Sequence, residues 1–112
     1  MAASSTNTLV LSVIATAALT QFRAVNVAGA VPAAAANSLG IAQTGGAIGD
    51  AVPVVVLGTA IGEAGAAVAA GALLETDASG RFITRSAGAI VGRALSAAGA
   101  AGDQIEVFLI PN

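Results

Sequence analysis

The chain has 112 residues, enough for one domain with a core of its own. Charged residues make up 9% of it, where roughly a quarter is usual in soluble domains. His, Cys, Trp and Tyr are missing and Lys does not occur, which excludes disulfides, zinc–thiolate sites and nucleophilic triads built on His or Cys. A net charge of −2 with four arginines offers no basic footprint for nucleic acid. The hydrophobic share is 56%, largely Ala and Val. So few charges cannot coat the surface, so part of it is expected to be covered by other protein.

In chain order, residues 1–8 are small and polar and read as a flexible arm ahead of a single body at 9–112. Leu9 to Leu19 is apolar. As a signal peptide it has a suitable core length but no positive region before it. It is too short for a membrane helix, which needs about 20 apolar residues. As a strand it alternates well, with Leu9, Leu11 and Val13 on one face and Val10, Ser12 and Ile14 on the other. Gln21 to Val27 is a second strand candidate, with Phe22, Ala24 and Asn26 opposite Arg23, Val25 and Val27. Gly29 to Ser38 reads as a loop, since the four alanines at 33–36 cannot nucleate a helix alone.

Two later stretches resemble each other. Leu39 to Leu57 and Val91 to Leu109 each run from a small-residue segment through Gly-Asp into an alternating strand. Gly40 answers Gly92, Ala42 answers Ala94, and Gly49-Asp50 answers Gly102-Asp103. Val52, Val54 and Val56 answer Ile105, Val107 and Leu109. Gly admits positive φ and Asp can close a turn on its own backbone, so each Gly-Asp marks a turn. The first copy is apolar on both faces, which implies burial on both sides or at a subunit contact. In the second, Gln104, Glu106 and Phe108 are expected to face outward. Pro53 points to an edge or entry position, because proline cannot donate to a ladder. Between the copies, Gly58 to Gly71 reads as a short helix or a turn-rich connection. Ala72 to Glu75, the turn Thr76 to Gly80 and Arg81 to Thr84 read as a hairpin. The sum is a mainly β, single-domain fold with at most one or two short helices and an extended N-terminal arm.

The six carboxylates form no evident reaction centre. Asp50, Asp77 and Asp103 sit beside turn glycines, and Glu106 lies on a strand. Paired carboxylates on Asp50 and Asp103 would suit a small hydrolase. Glu75-x-Asp77 is a loose echo of a calcium loop. Gly45-Gly46 and Gly62 to Gly65 lack the lysine and the strand–glycine–helix context of a phosphate loop. The residues indicate no catalytic, cofactor-binding or metal site. Arg85 and Arg93 are candidate interface ion-pair residues.

The motif order resembles one family. It runs from Phe22-Arg23-Ala24-Val25 through Leu39-Gly40-Ile41-Ala42 and Gly49-Asp50-Ala51-Val52-Pro53-Val54. Ala69 to Leu74, Asp77-Ala78-Ser79-Gly80-Arg81, Val91 to Leu95 and Gly102 to Val107 follow. From Leu9 to Ile110 this is similar to the capsid cement, or head decoration, proteins of tailed bacteriophages. The resemblance implies a small barrel- or tulip-like β domain on the outside of the expanded head. It implies a homotrimer that clamps neighbouring major capsid protein subunits, with no cofactor, direct nucleic-acid contact or membrane. An N-terminal arm that adds a strand to the shell would fall on Ser4, Ser5, Thr6, Asn7, Leu9 and Leu11. A rival class is an exported bacterial surface or adhesive β module that uses Leu9 to Leu19 as its export signal.

Overall fold

Alternating apolar residues and glycine-marked turns give eight strands and no helix among the described residues. The chain is seen as a computed structural model that describes residues 4–112. The strands are β1 (Asn7–Ile14), β2 (Ala24–Val25), β3 (Gly40–Ala42), β4 (Ala51–Glu63), β5 (Leu73–Thr76), β6 (Phe82–Thr84), β7 (Gly92–Ala94) and β8 (Gln104–Leu109). All the ladders are antiparallel. The path runs β2-β3-β4-β8-β7-β5-β6, and β1 pairs β4. The whole forms a nearly closed, barrel-like sheet about β4.

The 13-residue β4 serves two layers. Its first half lies between β1 and β3, and its second half pairs β8. The register slips beside Leu57, and Gly58 takes φ +92. An added Cβ at Gly58 would sit 2.3 Å from the Thr6 carbonyl oxygen, so only glycine fits this bulge. Gly62, inside the same strand, leaves room for Phe82 and Val107, whose side chains a Cβ would meet at 2.9 Å. The expectation of a helix or turn-rich link over Gly58 to Gly71 is therefore corrected. The strand continues to Glu63, and only the stretch from Ala64 to Ala72 is turn-rich. Ala64 and Val68 are buried there and bridge to Phe82 and Ala98, which outweighs the helix propensity of the alanines.

Other bounds also move. β1 begins at Asn7 and stops at Ile14, where Ala15 leaves the ladder to bond the turn at Asp50. Of Gln21 to Val27, only Ala24 and Val25 pair. Phe22 turns the chain at φ 67, and the Asn26 Oδ1 accepts the Ala28 and Ala30 amides. The loop before β3 and the β5–β6 hairpin form as expected, with Asp77 Oδ1 accepting the Ser79 and Arg81 amides. Pro53 is on no edge, since β4 is flanked on both sides there. It is the third residue of its strand. The Gln43 carbonyl that its missing amide would have met accepts the Gln21 side-chain amide instead.

The two similar stretches are the visible part of a duplication that spans the whole fold. Ala15 and Leu19 bond the turns at Asp50 and Gly46, as Ala64 and Val68 bond those at Asp103 and Ala98. The Phe22 amide donates to Ala42 O, and the Gly71 amide donates to Ala94 O. The smaller core cluster contains Ala15, Leu19, Val25, Ala42, Val52 and Val54. Their counterparts Ala64, Val68, Leu74, Ala94, Ile105 and Val107 all lie in the larger one. Each fully buried Val, Leu or Ile contributes about 1.5–3 kcal/mol, so these clusters dominate stability. The larger cluster also takes Ala24, Ile41 and Val55 from the outer face of the first layer. The second layer thus packs on the back of the first, and the first copy is buried on both faces as expected.

Candidate functional site

The residues expected to form the arm lie at one end of the β1–β4 ladder, while Met1 to Ala3 fall outside the described residues. The Ser4 hydroxyl donates to Glu106 Oε1 at 3.1 Å. Ser5 donates to the Asn7 side chain and lies 3.3 Å from the Thr59 carbonyl. The amide of Thr6 donates to Thr59 Oγ1, and the amide of Thr59 donates back to the Thr6 carbonyl, both at 2.8 Å. Asn7, Leu9 and Leu11 follow within β1 itself.

β1 has β4 as its one neighbour among the described residues. Which edge is open follows from the ladder. The Pro53 carbonyl accepts the Gln43 amide on the β3 side, so Val52 and Val54 point to β1. Leu11 and Val13 sit opposite them and bond β4. The amides and carbonyls of Val10 and Ser12 therefore point away from β4, whereas on the same side the Ile14 carbonyl abuts Gly29, whose own carbonyl accepts the Thr16 amide. In the duplicated half, the corresponding outward amides of Thr59 and Glu63 are covered, donating to the carbonyls of Thr6 and Phe22. β1 carries no charge and no proline, the usual protections of an edge strand. Leu9, Val10 and Leu11 are about two-fifths exposed and Ile14 is 59% exposed.

The second layer presents another exposed surface. Leu73, Arg93, Phe108 and Thr59 stand opposite one another across β5, β7, β8 and β4 and so share its outer face. Phe108 is 48% exposed and Arg93 is exposed. Glu106, expected to face outward with Phe108 and Gln104, is only 6% exposed. Its backbone amide donates to the Ser96 hydroxyl and its side chain accepts from Ser4, so the chain before β1 covers it.

The two arginines singled out from the sequence make no ion pair among the described residues. Arg93 Nη1 donates to Gly71 O at 2.8 Å and Arg85 Nε to Gly88 O at 3.0 Å. The ion pairs involve the other two. Arg23 grips Glu63 through two bonds of 3.2 Å, and Arg81 lies 3.8 Å from Glu63 and 3.3 Å from Asp77. This network pins β2 and the β5–β6 turn to the end of β4. Only Asp77 and Arg81 are near in sequence; Arg23 and Glu63 are 40 residues apart, so no local spacing signals their pairing. Glu75 is also a clasp: its Oε1 accepts the Ser86 and Gly88 amides. Those bonds, with a smaller contribution from nearby Arg85, hold its carboxyl below the usual carboxylate range.

Asp50 and Asp103 close their own turns. Asp50 Oδ2 accepts the Ala47 amide, and Asp103 Oδ2 accepts those of Gly99 and Ala100. Among the described residues no three carboxylates converge. Two recesses, of about 160 and 280 Å³, are lined by apolar and neutral polar side chains.

No protein among curated sequences matches this chain. The crystal structure of the N base of the head fiber gp8.5 of bacteriophage phi29 has the same fold. Its TM-score is 0.75 at 17% identity, covering 91% of this chain and 93% of that one. The profile of the phage cement protein family matches residues 3–109. With nearly the whole length matched, the chain belongs to the phage cement proteins, a family of structural rather than enzymatic proteins of the phage capsid.

Proposed function

We propose that this protein binds the outer surface of the expanded icosahedral head and holds neighbouring major capsid protein subunits together, acting as a homotrimer and catalysing nothing. The observation that carries this reading is the open edge of β1. An uncharged, apolar strand with outward amides at Val10 and Ser12 suits addition to a strand of the shell, with main-chain bonds giving affinity. Ser4, Ser5, Thr6, Asn7, Leu9 and Leu11 would form this contact, and Arg85 and Arg93 would pair with acidic residues of a neighbour. Many identical copies engaging neighbouring subunits make weak contacts cumulative. The charge-poor composition suits a chain that is covered by its neighbours.

Heads assembled without the protein provide the test. Adding the protein is expected to raise the temperature at which expanded heads rupture. Equal survival with and without it, together with no binding to expanded heads, overturns the reading.

A further inference from the structure

The two halves are closed differently along the free edge of their first strand. Val10, Ser12 and Ile14 correspond to Thr59, Ile61 and Glu63, counted from the matched bonds of Ala15 to Asp50 and of Ala64 to Asp103. The turns facing these edges also match. Asn26 Oδ1 accepts the Ala28 and Ala30 amides, as Asp77 Oδ1 accepts those of Ser79 and Arg81, and Gly29 and Gly80 both take positive φ. In the second half, main chain fills the space between strand and turn. The Thr59 amide donates to the Thr6 carbonyl, the Glu63 amide donates to the Phe22 carbonyl, and the Ala24 amide donates to the Gly80 carbonyl. In the first half the turn closes on the strand directly, and at one end only. The Thr16 amide and hydroxyl donate to the Gly29 and Ala28 carbonyls at 2.9 Å, and Gly29 lies so near the Ile14 carbonyl that a Cβ has no room. Val10 and Ser12 lie beyond this closure, and their amides meet no acceptor among the described residues. Met1 to Ala3 extend from Ser4, which is held at Glu106. Three residues span at most about 11 Å, short of the roughly 17 Å of strand from Asn7 to Ser12, so they do not reach the Ser12 amide.

We infer that the space between β1 and the Asn26–Ala30 turn is a slot for one short main-chain segment of the shell subunit, about three residues long where paired, which bonds Val10 and Ser12 and stops at Ile14. The segment stands where Thr6 stands in the second half. Its carbonyl accepts the Val10 amide as the Thr6 carbonyl accepts the Thr59 amide. Its residues that bond the Val10 and Ser12 carbonyls must carry an N–H, which excludes proline there. Gly29 ends the ladder at one side, and the irregular register at Leu9 ends it at the other, so the segment has one register. The β1 strand of a second copy does not suit the slot. It is eight residues long and would run into the Gly29 turn.

The inference rests on the capsid-binding reading, and replacing single amides by esters separates their failures. The chain has no cysteine, so a synthetic segment 1–17 can be ligated at position 18 and desulfurised to restore Ala18. An ester at Val10, Ser12 or Ile14 deletes one N–H and leaves every side chain in place. Each ester protein is titrated onto expanded heads assembled without the protein, and its mass and melting temperature are recorded when free. The Val10 and Ser12 esters are each expected to weaken binding roughly fivefold or more. The Ile14 ester is expected to bind as the unmodified protein does, and the three melting temperatures to be alike. Unchanged binding by all three overturns this inference and leaves binding to the capsid standing. Equal loss by all three, with melting temperatures alike, shows a ladder that runs past Gly29 and also overturns it. Association of the free protein that the Val10 ester dissolves makes the occupant a second copy, with the same consequence. No binding by the unmodified protein overturns the capsid-binding reading and this inference with it.

Discussion

Single residues carry costs that the duplication makes comparable. Gly40 and Gly92 occupy equivalent places, and a Cβ at Gly40 would lie 2.0 Å from the Val55 carbonyl oxygen. That clash involves backbone, so Gly40→Ala is expected to cost about 2–3 kcal/mol in urea unfolding. At Gly71, φ is +89 and nothing lies within 4 Å of an added Cβ. Gly71→Ala is therefore expected to cost only the left-handed backbone penalty, about 1–2 kcal/mol. A larger loss at Gly71 than at Gly40 would contradict this ordering. Phe22, the counterpart of Gly71, bears that same strain at φ 67. The Glu75 clasp sets a pH dependence. Its carboxyl is depressed in the folded state, so its contribution is complete above the ordinary carboxylate range and is lost as pH falls through the folded value. Melting temperature is expected to drop on acidification, and Glu75→Gln to start lower at neutral pH and fall less steeply. Parallel curves would remove Glu75 as a cause.

At the scale of elements, β1 makes the sharpest prediction, because its two edges differ. Proline at position 12 removes an amide that points to solvent, while proline at position 11 removes one that bonds β4. Ser12→Pro is expected to keep the fold by circular dichroism and lose head binding, whereas Leu11→Pro unfolds, with a cost of about 3 kcal/mol or more. Retained binding by Ser12→Pro would show that the edge is not used. Elements with strict alternation and turn chemistry were legible in the sequence: β1, the β5–β6 hairpin, and β8 after Gly102-Asp103. The second half of β4 was not, because Gly58, Gly62 and the alanines after them suit a helix or a turn as well as a strand. Its identity comes from contacts far along the chain, with β8 and Phe82. The β1 edge was legible as apolar and alternating. Which of its amides stay open depended on where Pro53 aims its carbonyl, which no pattern in the sequence records.

At the scale of the molecule, two similar halves share one long strand, and the second layer lies on the back of the first. The sequence showed this duplication only in Leu39 to Leu57 and Val91 to Leu109. Elsewhere the counterparts differ in kind, as with Val13 and Gly62 or Phe22 and Gly71, and only the backbone bonding reveals them. Among the described residues, β1 pairs with β4 alone and leaves its other edge open at Val10 and Ser12. A cryo-EM map of expanded heads incubated with the protein tests this most directly. Density is expected on the outer shell over subunit junctions, with β1 extending a strand of the shell through Val10 and Ser12. Bare shells, or bound protein whose β1 edge faces solvent, would contradict it.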